Sequence, residues 1–167
     1  MQLFIDRSVI FLNMCSQYIL KSTVSEISNQ IQIITGHPDT QFDARVRGFV
    51  KTDVAPVILF ENGNIVLKDM IFSLCPSWSK EFPAKFTTYN ARMERPNPKI
   101  EGQFERIYEV PSWKDSFING KTCLVPMNAA IESSYFGTQA GNIIHLKKKD
   151  DSIFFVAGLY SEWINKV

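Results

Sequence analysis

The stretch from residue 54 to residue 74, VAPVILFENGNIVLKDMIFSL, predicts two β-strands joined by a tight turn. The apolar run Val57–Phe60 is typical of a buried strand, and the segment Ile65–Leu74 partly alternates apolar and polar residues. Between them, Asn62–Gly63 is a strong signal for a two-residue hairpin turn. An antiparallel hairpin is therefore expected near the middle of the chain.

Helical patterns flank this hairpin on both sides. Thr23 and Glu26 form a capping box, and apolar residues then recur at spacings of three and four, which predicts an amphipathic helix ending near Gly36. After a turn at residues 37–40, the mixed and basic segment through Arg45, Arg47 and Lys51 is predicted to be loop. A second, shorter helix is expected to begin at Ser112, which is placed to act as its N-cap.

The C-terminal part of the chain is predicted to be mainly β. A strand at Thr122–Val125 is expected to break at Pro126. The segments 141–146 and 152–159 are expected to form another hairpin about the lysine-rich turn 147–151, which is most simply a solvated turn.

Composition bounds the class of protein. The chain has 167 residues and 45% hydrophobic content, enough for one sizeable core, so a single domain is expected. A formal net charge of +1 neither indicates nor excludes a nucleic-acid partner, so any anion site must be local. No apolar run approaches a membrane span, and the apolar leader 1–13 ends without a cleavage signature, so secretion is not expected.

The cysteines and histidines give no sign of a metal site. Cys15, Cys75 and Cys123 are odd in number and lack the paired spacing of a zinc site, and His37 and His145 are isolated. This pattern predicts a reducing compartment and no structural metal. A location in the cytoplasm or at the nucleoid is therefore expected.

The sequence Asn-Ala-Arg-Met-Glu, between an aromatic run and a proline-rich break, alternates polar and apolar side chains. If it forms a strand, Asn90, Arg92 and Glu94 share one face while Ala91 and Met93 point into a core. Spacing alone favours the alternative, a half-exposed strand whose outer face is in contact with solvent and has no further role.

Three further positions carry possible chemistry. Trp78 follows a strand, where it is either a partly buried core anchor, which its position favours, or a stacking surface for a base or sugar. Glu132 ends a neutral run of small residues, where desolvation would raise its pKa and suit it to proton transfer; a salt-bridged or exposed glutamate fits equally well. Met14–Cys15 looks like an internal start that would leave Cys15 amino-terminal, although two apolar residues in a buried strand are commoner.

Taken together, these landmarks resemble the SRAP family, the SOS response-associated peptidase domain whose members shield abasic sites in single-stranded DNA. The resemblance extends from Met14 to the last residue, and the conjunction of motifs is more specific than any one of them. The stretches that carry it are Met14–Cys15, Pro76–Ser77–Trp78 with Ser79–Lys80, Asn90–Ala91–Arg92–Met93–Glu94, Trp113–Phe117, Cys123–Pro126 leading to Glu132, and Ala157–Tyr160 with Trp163.

The resemblance implies an α+β fold: a single domain over residues 14–167 with a curved, largely antiparallel β-sheet system and a few short helices, but without the family's C-terminal part. Residues 1–13 are then a leader or a mis-assigned start. It also implies an SRAP-type peptidase or hydrolase with DNA-lyase-related chemistry, which crosslinks ring-opened abasic sites in single-stranded DNA. That DNA is the expected partner; no cofactor, metal or membrane is expected, and the chain is expected to be a monomer.

The same resemblance implies roles for five residues. Cys15, made amino-terminal by autoproteolytic release of the leader, offers an amine that attacks the sugar aldehyde and a thiol that closes a thiazolidine ring. Glu132 is the expected acid/base, and Asn90 is expected to hold the amino terminus or the sugar, which makes these three the expected catalytic residues. As DNA-binding residues, Arg92 is expected to clamp a phosphate and Trp78 to stack beside the missing base.

Three departures from the family pattern leave alternatives open. Ser16–Gln17 stands where the family has Gly-Arg, so one arginine contact with DNA is absent, and the glutamate in 127–133 lacks its usual aromatic neighbours. The family's His-x-Arg-Met-Pro segment lies beyond the last residue, and His145 does not replace it by motif. The alternatives are an inactive, truncated DNA-binding remnant, or a cysteine hydrolase that pairs Cys15 or Cys123 with a histidine.

Overall fold

The computed structural model describes residues 2–3, 17–31, 33, 38–50, 53–86, 88–134 and 137–164. The strands in chain order are β1 (Gln2–Leu3), β2 (Gln17–Thr23), β3 (Gln41–Arg47), β4 (Val54–Glu61), β5 (Asn64–Ile71), β6 (Glu94–Pro96), β7 (Phe104–Arg106), β8 (Thr122–Met127), β9 (Ala129–Ser133), β10 (Ile143–Leu146) and β11 (Phe154–Leu159). The helices are α1 (Val24–Gln30) and α2 (Pro111–Ile118), with a 3₁₀ turn at Gly137–Gln139. Within these residues no helix is long and apolar enough to cross a bilayer.

Two antiparallel sheets make up the body of the fold. The five-stranded sheet has the order β1-β11-β8-β4-β5, and the four-stranded sheet has the order β10-β9-β2-β3. Strands β6 and β7 form a separate two-stranded ribbon. All the pairings in these sheets are antiparallel. The predicted α+β fold, with a largely antiparallel sheet system and short helices, is therefore confirmed.

The main hydrophobic core joins the two sheets. Tyr18 and Leu20 of β2 are buried in it, and the Tyr18 ring packs edge-on against Phe72 with the ring centroids 5.1 Å apart. Helix α1 adds Val24 and Ile27 to the same cluster. Because burying each such side chain is worth about 1.5–3 kcal/mol, this cluster holds the four-stranded sheet against the five-stranded one.

The predicted central hairpin is confirmed. Strands β4 and β5 pair over their whole length, Val54–Glu61 with Asn64–Ile71. The turn residues Asn62 and Gly63 both have positive φ, 50° and 81°, as a type I′ hairpin turn requires. This turn matches the right-handed twist of the two strands, so the local sequence is enough to specify it.

The predicted helices are present, but their ends differ from the prediction. Glu26 donates its backbone N–H to Thr23 Oγ1 at 3.0 Å, and its carboxylate accepts from the Thr23 N–H at 2.8 Å, so the capping box is confirmed. Helix α1 ends at Gln30, and the predicted end at Gly36 lies outside the described residues. Ser112 does not cap α2; it lies within the first turn, after a proline that suits the N1 position.

The segment predicted as loop contains most of strand β3, so that prediction was wrong. Strand β3 pairs along its length with β2 and forms one edge of the four-stranded sheet. Its exposed positions include Asp43, Arg45 and Arg47, while Lys51 lies outside the described residues. Charges are common on edge strands because they discourage pairing with other chains. In β3 these charged residues replace the apolar residues by which a strand is usually predicted.

The predicted C-terminal hairpin was also wrong. Strand β10 pairs with β9 whereas β11 pairs with β8, so the turn 147–151 carries the chain from one sheet to the other. Pro126 does not break the preceding strand; it lies within β8, opposite Phe155. A second crossing between the sheets lies at Asn128, whose Nδ2 donates to Asp151 O at 3.3 Å. The two crossings are therefore joined by a hydrogen bond.

Asn128 also fixes β9 against β2. Its backbone N–H donates to Ile19 O at 2.8 Å, and its Oδ1 accepts from the Lys21 N–H at 2.7 Å. In the resulting register Gln17, the first residue of β2, lies opposite Ile131. The end of β9 is thereby held beside the beginning of β2.

Candidate active site

Glu132 is a buried carboxyl group on β9. Its neighbours Ala130 and Ile131 are buried too, and Ile144 of β10 lies opposite it. Glu132 is 3% exposed, and its Oε1 has no hydrogen-bond partner among the described residues. Burial raises its pKa to about 7, and the positive charge of Arg92 limits the rise. The pKa rise predicted for a desolvated glutamate is thus present, and the group can exchange protons near neutral pH.

The segment that begins at Asn90 is not a strand, so the predicted alternation was wrong. Asn90 forms an isolated bridge, and strand β6 begins at Glu94. Ala91 is buried as expected, but Met93 is 41% exposed and does not point into a core. The reason is that Met93 O accepts from the Ile107 N–H at 3.0 Å, which turns the backbone toward the β6–β7 ribbon.

Arg92 brings a positive charge to Glu132, and Asn90 lies two residues before it in the same segment. Asn90 Nδ2 is buried and has no hydrogen-bond partner in the described part of the chain. Arg92 is half-buried, and its charge acts on the Glu132 carboxyl. An unpaired buried donor or acceptor costs about 1–3 kcal/mol, so the Asn90 amide and the Glu132 carboxyl each carry a cost that a bound polar group would relieve.

Residues that the sequence analysis did not single out hold this segment in place. Ser73 Oγ and Thr88 Oγ1 are 2.8 Å apart in the interior, and the Leu74 N–H donates to Thr88 O at 3.2 Å. Gly48 packs against Tyr89, because a Cβ at position 48 would overlap the Tyr89 Cβ and Cγ atoms. These contacts join residues far apart in the chain, and no local sequence signal marks them.

Trp78 lies at the surface and does not fit the core-anchor interpretation. It is 51% exposed and belongs to neither buried cluster. Its ring stacks on Phe86, with centroids 5.5 Å apart and an interplanar angle of 14°. Its Nε1 donates to Pro111 O at 3.1 Å, which fixes the indole while leaving it half exposed. Phe86 belongs to the aromatic run before Asn90, and its stacking on Trp78 was not predicted from the sequence.

A second aromatic pair ties the C-terminal segment to the Trp78 loop. Phe82 and Trp163 have ring centroids 5.4 Å apart, and Trp163 Nε1 donates to Ser79 O at 2.8 Å. Ser161 Oγ donates to Cys75 O at 2.6 Å. The loop that carries Trp78 is thus attached to both α2 and the C-terminal segment.

The candidate nucleophile Cys15 lies outside the described residues. Strand β2 begins two residues later at Gln17, opposite Ile131 and therefore next to the strand position of Glu132. Gln17 Oε1 accepts a hydrogen bond from Arg45 Nε at 2.7 Å. The structure thus brings together the beginning of β2, Glu132 and Arg92, while the role of Cys15 stays a prediction.

Among the described residues, no hydrogen bond joins Cys75 or Cys123 to His145, so these residues form no Cys–His pair. Cys123 is 5% exposed, and burial raises the pKa of its thiol to about 12, so it is protonated at neutral pH. Cys75 is buried, His145 is exposed on β10, and His37 lies outside the described residues. Across the described ranges, no group of three or more His, Cys, Asp or Glu side chains could hold a metal ion.

The fold and this site define an α+β protein of two joined antiparallel sheets, with a buried acid where β9 meets the start of β2. Residues 14–167 match the family described as SOS response associated peptidase (SRAP), and the chain belongs to this family. The family suggested by the sequence motifs is therefore confirmed.

Two named relatives show the extent of the similarity. The chain is 23% identical over 150 residues to the abasic site processing protein YoaM of Bacillus subtilis (strain 168), a match that covers 90% of this chain and 60% of the relative. It is also 23% identical over 150 residues to the abasic site processing protein YoqW of Bacillus phage SPbeta, with 90% of this chain and 61% of the relative covered. The chain thus spans about three fifths of the length of these relatives.

Two crystal structures share the fold. A protein from Bacteroides thetaiotaomicron superposes with a TM-score of 0.66 at 22% sequence identity, covering 91% of this chain and 62% of that chain. A protein from Bordetella bronchiseptica superposes with a TM-score of 0.61 at 15% identity, covering 87% of this chain and 63% of that chain. At these identities the likeness shows the fold alone.

Proposed function

We propose that this chain is an abasic-site processing protein that becomes covalently linked to ring-opened abasic sites in single-stranded DNA. Membership of the SRAP family and the names of its Bacillus relatives support the general assignment. The observation that carries the proposal is Glu132, a buried carboxyl group with a pKa of about 7 beside Arg92 and the beginning of β2. Such a group suits the condensation of an amine with an aldehyde, which needs both an acid and a base.

Cys15 is the proposed nucleophile. It stands two residues before Gln17, the first residue of β2. Its α-amine, with a pKa of about 7.7–8, is partly neutral at physiological pH and attacks the aldehyde carbon of the open sugar. Loss of one water gives an imine, and the thiol S–H adds across the C=N bond to close a thiazolidine ring. The product therefore contains every atom of the two reactants except that water.

Glu132 is proposed to move the protons in these steps. Its acid form donates to the hydroxyl that leaves as water, and its carboxylate accepts the proton that the attacking amine gives up. A pKa of about 7 keeps both forms populated at neutral pH. The positive charge of Arg92 limits the rise in the pKa of Glu132. A DNA phosphate bound at Arg92 would offset that charge, so DNA binding is expected to raise this pKa further.

Asn90 and Trp78 are proposed to position the lesion. The buried, unpaired Nδ2 of Asn90 is a donor for a sugar hydroxyl or for the carbonyl of the amino-terminal residue. The half-exposed indole of Trp78, backed by Phe86, offers a stacking surface for a base beside the gap. The stacking contact depends on a single-stranded partner, whose bases are free to unstack.

An amino-terminal Cys15 requires loss of the residues before it, which we propose occurs by cleavage of the preceding peptide bond by the chain itself. The intact mass of the purified protein tests this directly. A mass that begins at Cys15 is expected for the wild-type chain. A mass that begins at Met1 or Met14 in protein that nevertheless crosslinks DNA would contradict the thiazolidine chemistry.

Denaturing electrophoresis tests the crosslink. We expect a shifted band when the wild-type chain is mixed with single-stranded DNA that carries one abasic site. The band should be absent with Cys15→Ala, and also with a tetrahydrofuran analogue, which has no aldehyde. If the folded protein with an amino-terminal Cys15 gives no shift, the proposed covalent chemistry is wrong.

A further inference from the structure

The arginines of the described residues divide into two groups. Arg47, Arg95 and Arg106 each face a carboxylate, in the pairs Arg47–Asp53 at 2.9 Å, Arg95–Glu105 at 2.8 Å and Arg106–Glu94 at 3.8 Å. The remaining two, Arg45 and Arg92, have no carboxylate within 4.0 Å among the residues that the structure describes. Both of these lie next to the candidate active site, and the site described above uses Arg92 alone.

Arg45 is held in place without being neutralised. It is exposed on β3, where it lies opposite Ile19, so that Gln17 is its diagonal neighbour across the strand pair. Its Nε donates to Gln17 Oε1 at 2.7 Å. A carboxamide oxygen is neutral and takes one of the five guanidinium N–H donors, so the full positive charge and most of the donors stay available for an anion.

Arg45 and Glu132 lie on opposite faces of the four-stranded sheet. Partners in an antiparallel register point to the same side, so Gln17 and Arg45 share the face of Ile131. Glu132, one residue further along β9, points to the other face, and the charge of Arg92 acts on its carboxyl group. The beginning of β2, two residues after Cys15, therefore has Arg45 on one face of the sheet and, on the other face, a carboxyl group on which the charge of Arg92 acts.

We propose that Arg45 binds the DNA phosphate on one side of the lesion sugar, with Gln17 as the positioning residue that aims its guanidinium, while Arg92 binds the phosphate on the other side. An internal abasic sugar has a phosphate diester on each side, so two separate arginines can each bind one of them. Gln17 stands where the family pattern has arginine, so the charge has moved to the neighbouring strand. This inference rests on the proposed function.

Fluorescence anisotropy with the full chain and a labelled single strand carrying one tetrahydrofuran site tests it without covalent trapping. Arg45→Gln is expected to weaken binding about fivefold to tenfold and to lower the salt slope by about 0.7, the value for one phosphate contact on a single strand. Arg95→Gln, which removes an ion-paired arginine from the β6–β7 ribbon, should leave the slope unchanged. Adding Gln17→Arg to Arg45→Gln should restore the slope, because the charge returns to the same place.

The outcomes separate this inference from the proposed function. An unchanged salt slope in Arg45→Gln, in protein that still crosslinks natural abasic DNA, overturns the role of Arg45 and leaves the proposed function intact. A slope that depends on Arg45 in protein that forms no crosslink supports the phosphate site and overturns the covalent chemistry. No measurable binding by the folded wild-type chain overturns the Arg45 site, and so does equal loss of slope in Arg45→Gln and Arg95→Gln.

Discussion

Glu132 and Cys123 lie on consecutive strands and are almost equally buried, yet their prospects as reactive groups are opposite. Burial raises both pKa values, that of Glu132 to about 7 and that of Cys123 to about 12. For the carboxyl group the rise brings the pKa to neutral pH, whereas for the thiol it moves the pKa away. The same physical cause thus makes one group a proton carrier and the other an apolar side chain.

Their surroundings explain why one of them marks a site. Cys123 belongs to the main hydrophobic core. Glu132 has an oxygen without a partner among the described residues, and the charge of Arg92 acts on it. Burial by itself therefore does not distinguish the two groups; the open hydrogen-bonding position beside a nearby charge is what makes Glu132 the candidate.

Glu132→Gln is the change that should break the comparison most strongly. It keeps the volume of the side chain and removes its titration, so the crosslinking rate is expected to fall about 10²–10³-fold. Single-turnover crosslinking on denaturing gels at neutral pH measures this, with the exposed Glu101→Gln as the matched control. A rate within a few-fold of wild type in folded Glu132→Gln would remove Glu132 from the proton-transfer role.

The pH dependence of stability sharpens the same contrast. Below its ordinary pKa of 4.5 the Glu132 carboxyl is protonated in both folded and unfolded chains. As the pH rises toward 7 the unfolded chain gives up this proton first, so the free energy of unfolding falls by about 3 kcal/mol and then levels off. Urea denaturation of wild type and Glu132→Gln across this range should show the two stabilities diverging with pH. Parallel curves would mean that burial does not raise this pKa.

Gly48→Ala tests whether the contact between Gly48 and Tyr89 must hold the Asn90 segment in place for crosslinking. The new methyl group would overlap Tyr89, so we expect a loss of about 1–3 kcal/mol in stability and, because Asn90 is the next residue, slower crosslinking as well. Denaturation curves and crosslinking rates measure the two effects. Gly102→Ala is the control: its φ of 77° makes alanine strained, but nothing lies within 4 Å. Equal crosslinking rates in the two variants would show that the Tyr89 contact does not position the site.

Features that depend only on residues close together in the sequence could be predicted. The Asn62–Gly63 turn and the Thr23–Glu26 capping box depend on local backbone geometry, and both are present as expected. The raised pKa of Glu132 was also within reach, because the small neutral residues before it offer no partner for its charge. The family followed from a conjunction of such short motifs.

Features that depend on distant partners could not be predicted in this way. The turn 147–151 looks like a hairpin turn, but its two flanking strands pair with β9 and β8, which come earlier in the chain and lie in different sheets. The packing of Gly48 on Tyr89 likewise has no local signal. Met93 was misplaced because the β6–β7 ribbon, formed with residues further along the chain, interrupts the alternation.

The smallest functional effect is expected from Cys123→Ala, which completes the comparison. Removing the buried sulfur leaves a small cavity in the core, so the free energy of unfolding should fall by about 1–2 kcal/mol. The crosslinking rate should stay at the wild-type value, because a thiol with a pKa of about 12 takes no part in chemistry at neutral pH. Denaturation and single-turnover crosslinking are again the measurements. A slower crosslink in folded Cys123→Ala would mean that the buried thiol reaches the substrate. The difference in pKa between Glu132 and Cys123 would then not decide which of the two groups takes part in the reaction.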